Sequence, residues 1–207
     1  MNVSQQQSVA TQRKLERLCV FCGSSSGARP IYAEAAARLG HELAKNHIAL
    51  VFGGGCVGLM GILADSVLAA RGQAIGVIPK ALVDKEIAHK GLTRLHVVAS
   101  MHERKALMAD LADAFVLLPG AYGSWEEFLE VATWLQLGIH QKPCAILNVA
   151  GYYDALLSLS SLAVAEGFLR PAHKDMLIVE TDPARLLVRL ASTSVPVEPK
   201  WVSRQER

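Results

Sequence analysis

The chain has 207 residues, of which 51% are hydrophobic and 19% are charged, and its formal net charge is +2. This composition predicts a globular protein with a large core, and the length favours one domain. The nearly balanced charge, and the lack of any apolar run of roughly 20 residues, give no reason to expect a nucleic-acid or membrane partner.

The first segment, residues 1–14, is polar and rich in Gln and Ser. It lacks the apolar stretch of a signal peptide, so it predicts a disordered leader and a cytoplasmic protein. The last segment, 192–207, is rich in Pro and charge and predicts a tail on the surface. Residues 15–191 are expected to form the single domain.

Short apolar runs alternate with helical patterns through this domain. Strands are predicted at 18–22, 49–52, 74–78, 94–98, 114–118, 143–147 and 176–179. Helices are predicted over 31–47, 58–71, 102–111, 123–137, 153–166 and 183–190. The strands are apolar throughout, as expected when helices cover both faces of a parallel sheet. The pattern predicts an α/β fold with a doubly wound, mostly parallel sheet, whose ligands bind at the carboxyl edge of the strands.

The first predicted strand contains Cys19 and Cys22, and the small residues Gly23 and Ser24 follow it. The C-x-x-C spacing places the two thiols on opposite faces of a strand, and no second ligand pair follows. We therefore interpret all four cysteines as reduced and expect no metal site. The Gly/Ser loop suits a phosphate or a ribose, although such a loop is equally typical of a plain connection.

The second strand is followed by Gly53, Gly54 and Gly55. A glycine-rich turn that opens a helix can bind a pyrophosphate, but the dinucleotide motif follows the first strand and has an acid about 20 residues later. This position disfavours NAD. A turn that contacts phosphate or ribose and a turn that only packs tightly both fit the pattern.

The helix after the fourth strand begins with a predicted capping box, Ser100 with Glu103. Arg104 and Lys105 are predicted to lie in its first turn, where the helix dipole disfavours cations. An anion bound among them would explain their position, so Arg104 is a candidate phosphate-binding or catalytic residue.

The fifth strand leads into the most informative motif, which is Pro119-Gly120-Ala121-Tyr122-Gly123-Ser124-Trp125-Glu126-Glu127. The unpaired N–H groups at a helix start suit a phosphate. We expect Ser124 to supply a capping hydroxyl and the two acids to lie in the first helical turn. A carboxylate beside a phosphate site is typical of chemistry on a sugar phosphate.

These segments together resemble the Lonely Guy (LOG) family of cytokinin riboside 5′-monophosphate phosphoribohydrolases, which are often labelled lysine decarboxylases. The family pattern is Pro-Gly-Gly-x-Gly-Thr-x-x-Glu with Met-His-x-Arg-Lys upstream, and the likeness covers nearly the whole chain beyond the leader. It implies a Rossmann-like fold and hydrolysis of the bond between an N6-modified adenine and ribose 5′-monophosphate. It also implies a homodimer whose site is completed near the interface, and no metal or redox cofactor.

The resemblance implies that Arg104 and Glu127 are the catalytic residues. Together with the loops above, it gives these substrate-binding residues: Gly23, Ser24, Gly54, Gly55, Glu86, Met101, Lys105, Pro119, Gly120, Ala121, Tyr122, Gly123, Ser124, Glu126 and Thr133. The expected ligand is a nucleoside 5′-monophosphate. Lysine decarboxylation is not expected, because no lysine lies in a recognisable pyridoxal-phosphate context.

Two positions depart from the family pattern, Ala121 in place of Gly and Ser124 in place of Thr. If residue 121 needs a positive φ, alanine is strained there by roughly 1–2 kcal/mol, and we expect weaker binding and reduced turnover. Two other functions stay open: a nucleosidase for AMP and other purine monophosphates, and a nucleotide-binding module without catalysis. Retention of both Arg104 and Glu127 argues against the second.

Overall fold

The computed structural model describes residues 14–83 and 88–193. The predicted leader, apart from Lys14, and the predicted tail beyond Thr193 lie outside these residues. Glu86, predicted to bind substrate, also lies outside them.

The described chain contains one seven-stranded sheet in which every strand pair is parallel. All the predicted strands are found, with each end within one residue of the prediction. Their bounds are β1 (Arg17–Phe21), β2 (Ala49–Phe52), β3 (Ala74–Pro79), β4 (Arg94–Val98), β5 (Ala114–Leu117), β6 (Cys144–Leu147) and β7 (Leu177–Glu180).

In the described residues, eight helices connect or flank these strands. Two of the helices and a 3-10 turn were not predicted, because a single helical turn carries no periodic pattern. The helices are α1 (Pro30–Lys45), α2 (Gly58–Ala69), α3 (Lys80–Val83), α4 (Met101–Leu111), α5 (Tyr122–Gln136), α6 (Asp154–Ala165), α7 (Pro171–Lys174) and α8 (Pro183–Ser192). The unpredicted elements are α3, α7 and the 3-10 turn Val149–Gly151. None of the described helices is long and apolar enough to cross a membrane.

The sheet has a separate apolar core on each face. Leu18 and Val20 of β1 pack in the core that α1, α2 and α8 cover, while Cys19 and Phe21 pack in the core that α4 and α5 cover. Alternate residues of one strand therefore serve different cores, which is why the strands are apolar throughout.

The cysteines follow the same alternation, because Cys19 and Cys22 lie in opposite cores as predicted. All four cysteines are free thiols. Burial raises the pKa of the Cys19 and Cys144 thiols well above the ordinary value, so both stay protonated and structural.

The strand order β4-β3-β2-β1-β5-β6-β7 creates a switch point between β1 and β5. The chain leaves β1 toward β2 on one side, and later returns to pair β5 on the other side. The loops that follow β1 and β5 lead away from each other, so a crevice opens at the carboxyl ends of these strands. The Gly23 N–H donates to the Pro119 carbonyl at 3.0 Å and ties the two loops together at the base of the crevice.

Candidate active site

A cavity of about 400 Å³ fills the crevice between the loops after β1 and β5 and reaches the starts of α4 and α5. It collects most of the predicted site residues. These are Gly23, Ser24, Met101, Arg104, Pro119, Gly120, Ala121, Gly123, Ser124, Glu126 and Glu127.

Arg104 reaches this cavity from the fourth position of α4. Its side chain is only 6% exposed, and its Nη2 lies 3.4 Å from the Gly53 carbonyl oxygen that accepts its hydrogen bond. Its Nε is buried and has no hydrogen-bond partner among the described residues. Because buried donors are nearly always paired, this orphan N–H favours an anionic or hydroxyl group of a ligand beside Arg104.

Glu127 approaches the same point from α5. Its Oε1 lies 3.9 Å from Arg104 Nη2, and its side chain is 13% exposed. A guanidinium and a carboxylate from two separate helices therefore meet at one cavity. The 3.9 Å separation is at the long end for an ion pair, and contacts of this kind often tighten in catalytic sites when substrate binds.

The predicted placement of the two acids in the first turn of α5 is wrong. The helix begins at Tyr122 and has no acid in its first turn, so Glu126 and Glu127 lie in the second turn. Ser124 is likewise a buried residue inside the helix and not its cap. The N-cap is Ala121, which has no side-chain acceptor, and the first helical amide bonded to a backbone carbonyl is Trp125 N–H, to Ala121 at 3.0 Å.

This start of α5 leaves the amides of residues 122–124 without a backbone acceptor in the described chain. The segment borders the cavity through Gly120, Ala121 and Gly123. Unpaired amides at the positive end of a helix dipole form an anion site. A capping side chain would occupy these donors, so the uncapped start is what a phosphate requires.

The strain expected at Ala121 is absent. Its φ is −118°, in the extended region that any residue adopts, so alanine needs no left-handed conformation here. Glycine is required one residue earlier: a Cβ on Gly120 would lie 2.3 Å from Ser124 Oγ and 2.9 Å from Gly23 N.

The start of α4 confirms the predicted N-cap, because Ser100 Oγ accepts from Glu103 N–H at 3.1 Å. The carboxylate of Glu103 accepts from Ala99 N–H at 2.9 Å, one residue before the position that a capping box would use. Capping by residues that point away from the cavity leaves Arg104 available for the site.

Cys22 also lines the cavity, where its thiol could be considered a nucleophile. Burial raises the pKa of this thiol well above the ordinary value, and the charge of Glu127 raises it further. Cys22 therefore stays protonated and is a poor nucleophile. No group of three His, Cys, Asp or Glu residues within the described ranges could hold a metal ion.

The chain is similar to known proteins over most of its length. A family model described as "possible lysine decarboxylase" matches residues 60–190. Cytokinin riboside 5′-monophosphate phosphoribohydrolase LOG7 of Arabidopsis thaliana is 51% identical over 86% of this chain and 82% of that protein. The related LOG1 of the same plant is 47% identical over 94% of this chain and 91% of that protein.

The chain belongs to the LOG family.

Solved structures with a similar fold include a binding protein and a carrier protein for the molybdenum cofactor. The molybdenum cofactor binding protein of Rippkaea orientalis has a TM-score of 0.62 at 19% identity, covering 84% of this chain and 94% of that one. The molybdenum cofactor carrier protein of Chlamydomonas reinhardtii has a TM-score of 0.63 at 16% identity, covering 84% and 95%. At such identities the LOG-family chain shares only the fold with them.

Several residues that the LOG resemblance suggested as substrate-binding do not line this cavity. Lys105 Nζ donates to Glu126 at 2.7 Å and to Glu130 at 3.1 Å. Thr133 donates to the Leu129 carbonyl and lines a different cavity, between α5 and α6. Tyr122 is 83% exposed. For these residues, contact with substrate stays a prediction.

The glycines after β2 have structural roles. The sequence had left open whether this turn contacts a ligand or only packs tightly. Gly54 has a φ of +80°, and Gly55 forms an antiparallel bridge with Ala88. Neither lines the cavity. Gly53 was not among the predicted site residues, but it contacts the site directly. A Cβ at this position would lie 2.0 Å from Arg104 Nη2.

The sequence analysis also missed an aromatic wall of the cavity. Tyr32 of α1 and Tyr152, which follows β6, both line the cavity, with ring centroids 5.5 Å apart in an edge-to-face arrangement. Tyr152 follows β6, the strand next to β5. Its position shortly after a strand that ends at the same edge of the sheet is the signal that could have found it.

Proposed function

We propose that this chain hydrolyses the N-glycosidic bond of cytokinin riboside 5′-monophosphates and releases the free base and ribose 5-phosphate. The observation that carries the proposal is the meeting of Arg104 and Glu127 at one cavity, 3.9 Å apart, beside an uncapped helix start. The names of two relatives about half identical to this chain, both cytokinin riboside 5′-monophosphate phosphoribohydrolases, support the same reaction.

The 5′-phosphate would bind at the start of α5. The amides of residues 122–124 and the Ser124 hydroxyl are suitable donors, and the helix dipole favours a negative group there. Gly120 and Gly123 carry no side chain that would keep the phosphate away from the backbone.

Glu127 would act on the sugar. As the bond to the base breaks, C1′ gains positive charge, and the partly buried carboxylate of Glu127 would stabilise that charge or orient the attacking water. Arg104 would hold the anionic part of the nucleotide through its Nε, which has no hydrogen-bond partner among the described residues. Correct positioning of this kind contributes several kcal/mol in favourable cases. Water is the only co-reactant that the reaction needs.

The base would lie against the apolar part of the cavity, which contains Leu59, Met60, Leu82 and Met101. These side chains suit an N6 substituent of hydrocarbon character. AMP presents the same ribose phosphate without that substituent. Rates on isopentenyladenosine monophosphate and AMP therefore distinguish a cytokinin-producing enzyme from a general purine nucleotide nucleosidase.

The test is chromatographic detection of free base from both nucleotides, with wild type and Glu127→Gln. We expect wild type to release base, faster from the isopentenyl nucleotide, and Glu127→Gln to reduce release at least about 1,000-fold with its fold intact. Glu34→Gln, at an exposed position of α1 that does not line the cavity, is the matched control and should behave as wild type. Turnover by Glu127→Gln at the wild-type rate would remove the carboxylate from the mechanism.

A homodimer belongs to the same proposal. It is supported by large apolar side chains on and just after α6, where Leu159, Leu162 and Phe168 are 60%, 54% and 87% exposed. Apolar surface of this kind usually marks an interface. A cytoplasmic location is likewise proposed, and its support is the sequence alone.

A further inference from the structure

Two consecutive tyrosines connect the turn after β6 to the turn after β5. The Tyr152 hydroxyl donates to the Gly120 carbonyl at 2.7 Å, and the Tyr153 hydroxyl donates to the Leu118 carbonyl at 2.7 Å. The Pro119 carbonyl between them accepts from Gly23 N–H at 3.0 Å. Three successive carbonyls of the turn before α5 are therefore held by three donors from other segments.

These bonds fix more than the carbonyls. In a planar trans peptide the C=O and the following N–H point in opposite directions. Fixing the Gly120 carbonyl thus fixes the Ala121 N–H and the path of the chain into α5. The uncapped amides of residues 122–124 follow directly, so their direction depends on the same hydrogen bonds.

The tyrosines are themselves held by a network. Asn148, which is buried, accepts from Tyr153 N–H at 2.8 Å and donates to Asp154 at 2.7 Å. The Tyr152 ring also packs edge-to-face on Tyr153 at 4.9 Å. The 3-10 turn between Asn148 and Tyr152 includes Ala150 with a φ of +51°, a conformation that is unfavourable for alanine. Unfavourable backbone held by a buried network is typical of functional sites.

We infer that Tyr152 and Tyr153 are positioning residues for the 5′-phosphate, acting through the carbonyls of Gly120 and Leu118. The inference rests on the proposed function for the identity of the ligand. Neither hydroxyl takes part in bond breaking. Each keeps the turn before α5 in the shape in which its amides receive a phosphate.

The experiment uses Tyr152→Phe and Tyr153→Phe, which remove only the hydroxyls. Ribose 5-phosphate and inorganic phosphate are the probes, and calorimetry gives their Kd. Each variant should bind ribose 5-phosphate about 3- to 10-fold more weakly, since one hydrogen bond to the turn is lost. KM for the nucleotide should rise by a similar factor, and kcat should change less.

The matched control is Ser66→Ala. It also removes a hydroxyl that donates to a carbonyl, that of Ile62 at 2.7 Å, but it lies on α2 and does not line the cavity. It should leave both Kd values unchanged. Tyr152 is 39% exposed, so Tyr152→Phe should fold even if loss of the Tyr153 hydroxyl disturbs the core.

The results separate the two proposals. If wild type releases base and Tyr152→Phe binds ribose 5-phosphate within twofold of wild type, the positioning role is refuted and the activity stands. A lower melting temperature with an unchanged Kd also refutes it, because the bonds would then be structural only. If the variants lose ribose 5-phosphate binding but wild type releases no base, the positioning role stands and the proposed hydrolysis fails.

Discussion

Gly53 is the residue on which the position of the Arg104 guanidinium depends. A Cβ at residue 53 would lie 2.0 Å from Arg104 Nη2, and the same residue's carbonyl accepts the guanidinium hydrogen bond. The position of the Arg104 guanidinium therefore requires glycine at residue 53.

Gly53→Ala should fold normally and lose activity. The added methyl group meets the end of a flexible side chain, so the guanidinium moves while the backbone stays. We expect kcat/KM to fall at least about 10-fold, because a small displacement of a positioned group is costly. Steady-state kinetics and thermal unfolding measure the two effects. In Gly91→Ala, the control, the new Cβ would come no closer than 3.3 Å to the His89 ring. Full activity in Gly53→Ala would contradict this role.

Ala121 gives a second prediction at this scale. Because its φ is −118°, backbone strain is not a reason to expect reduced turnover. The remaining difference from glycine is the methyl group, which lies beside the cavity. Ala121→Gly should leave the free energy of unfolding within about 1 kcal/mol, since glycine is the better N-cap but loses more backbone entropy. Any gain in activity should appear in KM. Denaturant unfolding measures the first quantity, and a stabilisation of 2 kcal/mol would show that the protein is strained there after all.

At the scale of elements, Lys105 joins the two helices that carry the catalytic candidates. Its Nζ on α4 contacts Glu126 and Glu130 of α5, and its side chain is 14% exposed. The hydrogen bond to Glu126 is the largest cause that raises the pKa of Lys105 above its ordinary value of 10.5. The folded protein therefore binds this proton more tightly than the unfolded chain does.

Lys105→Met should destabilise the protein by about 1–2 kcal/mol at pH 7, because two carboxylates lose their shared partner. The contribution of Lys105 is complete below pH 10.5 and is lost as the pH rises through the higher pKa of the folded state. The difference in unfolding free energy between wild type and Lys105→Met should therefore shrink above that pH. Urea unfolding over a pH series checks this. Lys90→Met, at an exposed lysine, should show no such difference. A pH-independent difference would rule out the ion pair as its source.

The elements also show how far the sequence alone reaches. Continuous apolar runs located every strand to within a residue, since both faces of the sheet are buried. The meeting of Arg104 and Glu127 at one cavity was foreseeable because parallel strands end at one edge. The role of Gly53 and the hydroxyl contact of Tyr152 could not be foreseen from the sequence. They depend on how side chains from distant segments cross in space, which neither periodicity nor spacing encodes.

The whole molecule presents an unusual surface at α6. The helix contains no buried residue, yet its sequence is mostly apolar. Leu159 and Leu162 are one turn apart and face outward, and Leu129 of α5 is also exposed beside the cavity that both helices line. A stable dimer buries about 800 Å² on each partner, more than a single helix face provides. An interface that includes both α5 and α6 would meet that requirement.

Replacing Leu159 and Leu162 with Asp should convert a dimer into monomers, because four carboxylates would have to be buried at the interface. Light scattering after gel filtration measures the mass. Val188→Asp, which charges an equally exposed apolar position on α8, should leave the dimer intact. Because the family resemblance implies a site completed near the interface, base release should fall with the loss of the dimer while the fold is kept. A wild-type mass of one chain would exclude the homodimer. A double variant that keeps the mass of two chains would place the interface on another face.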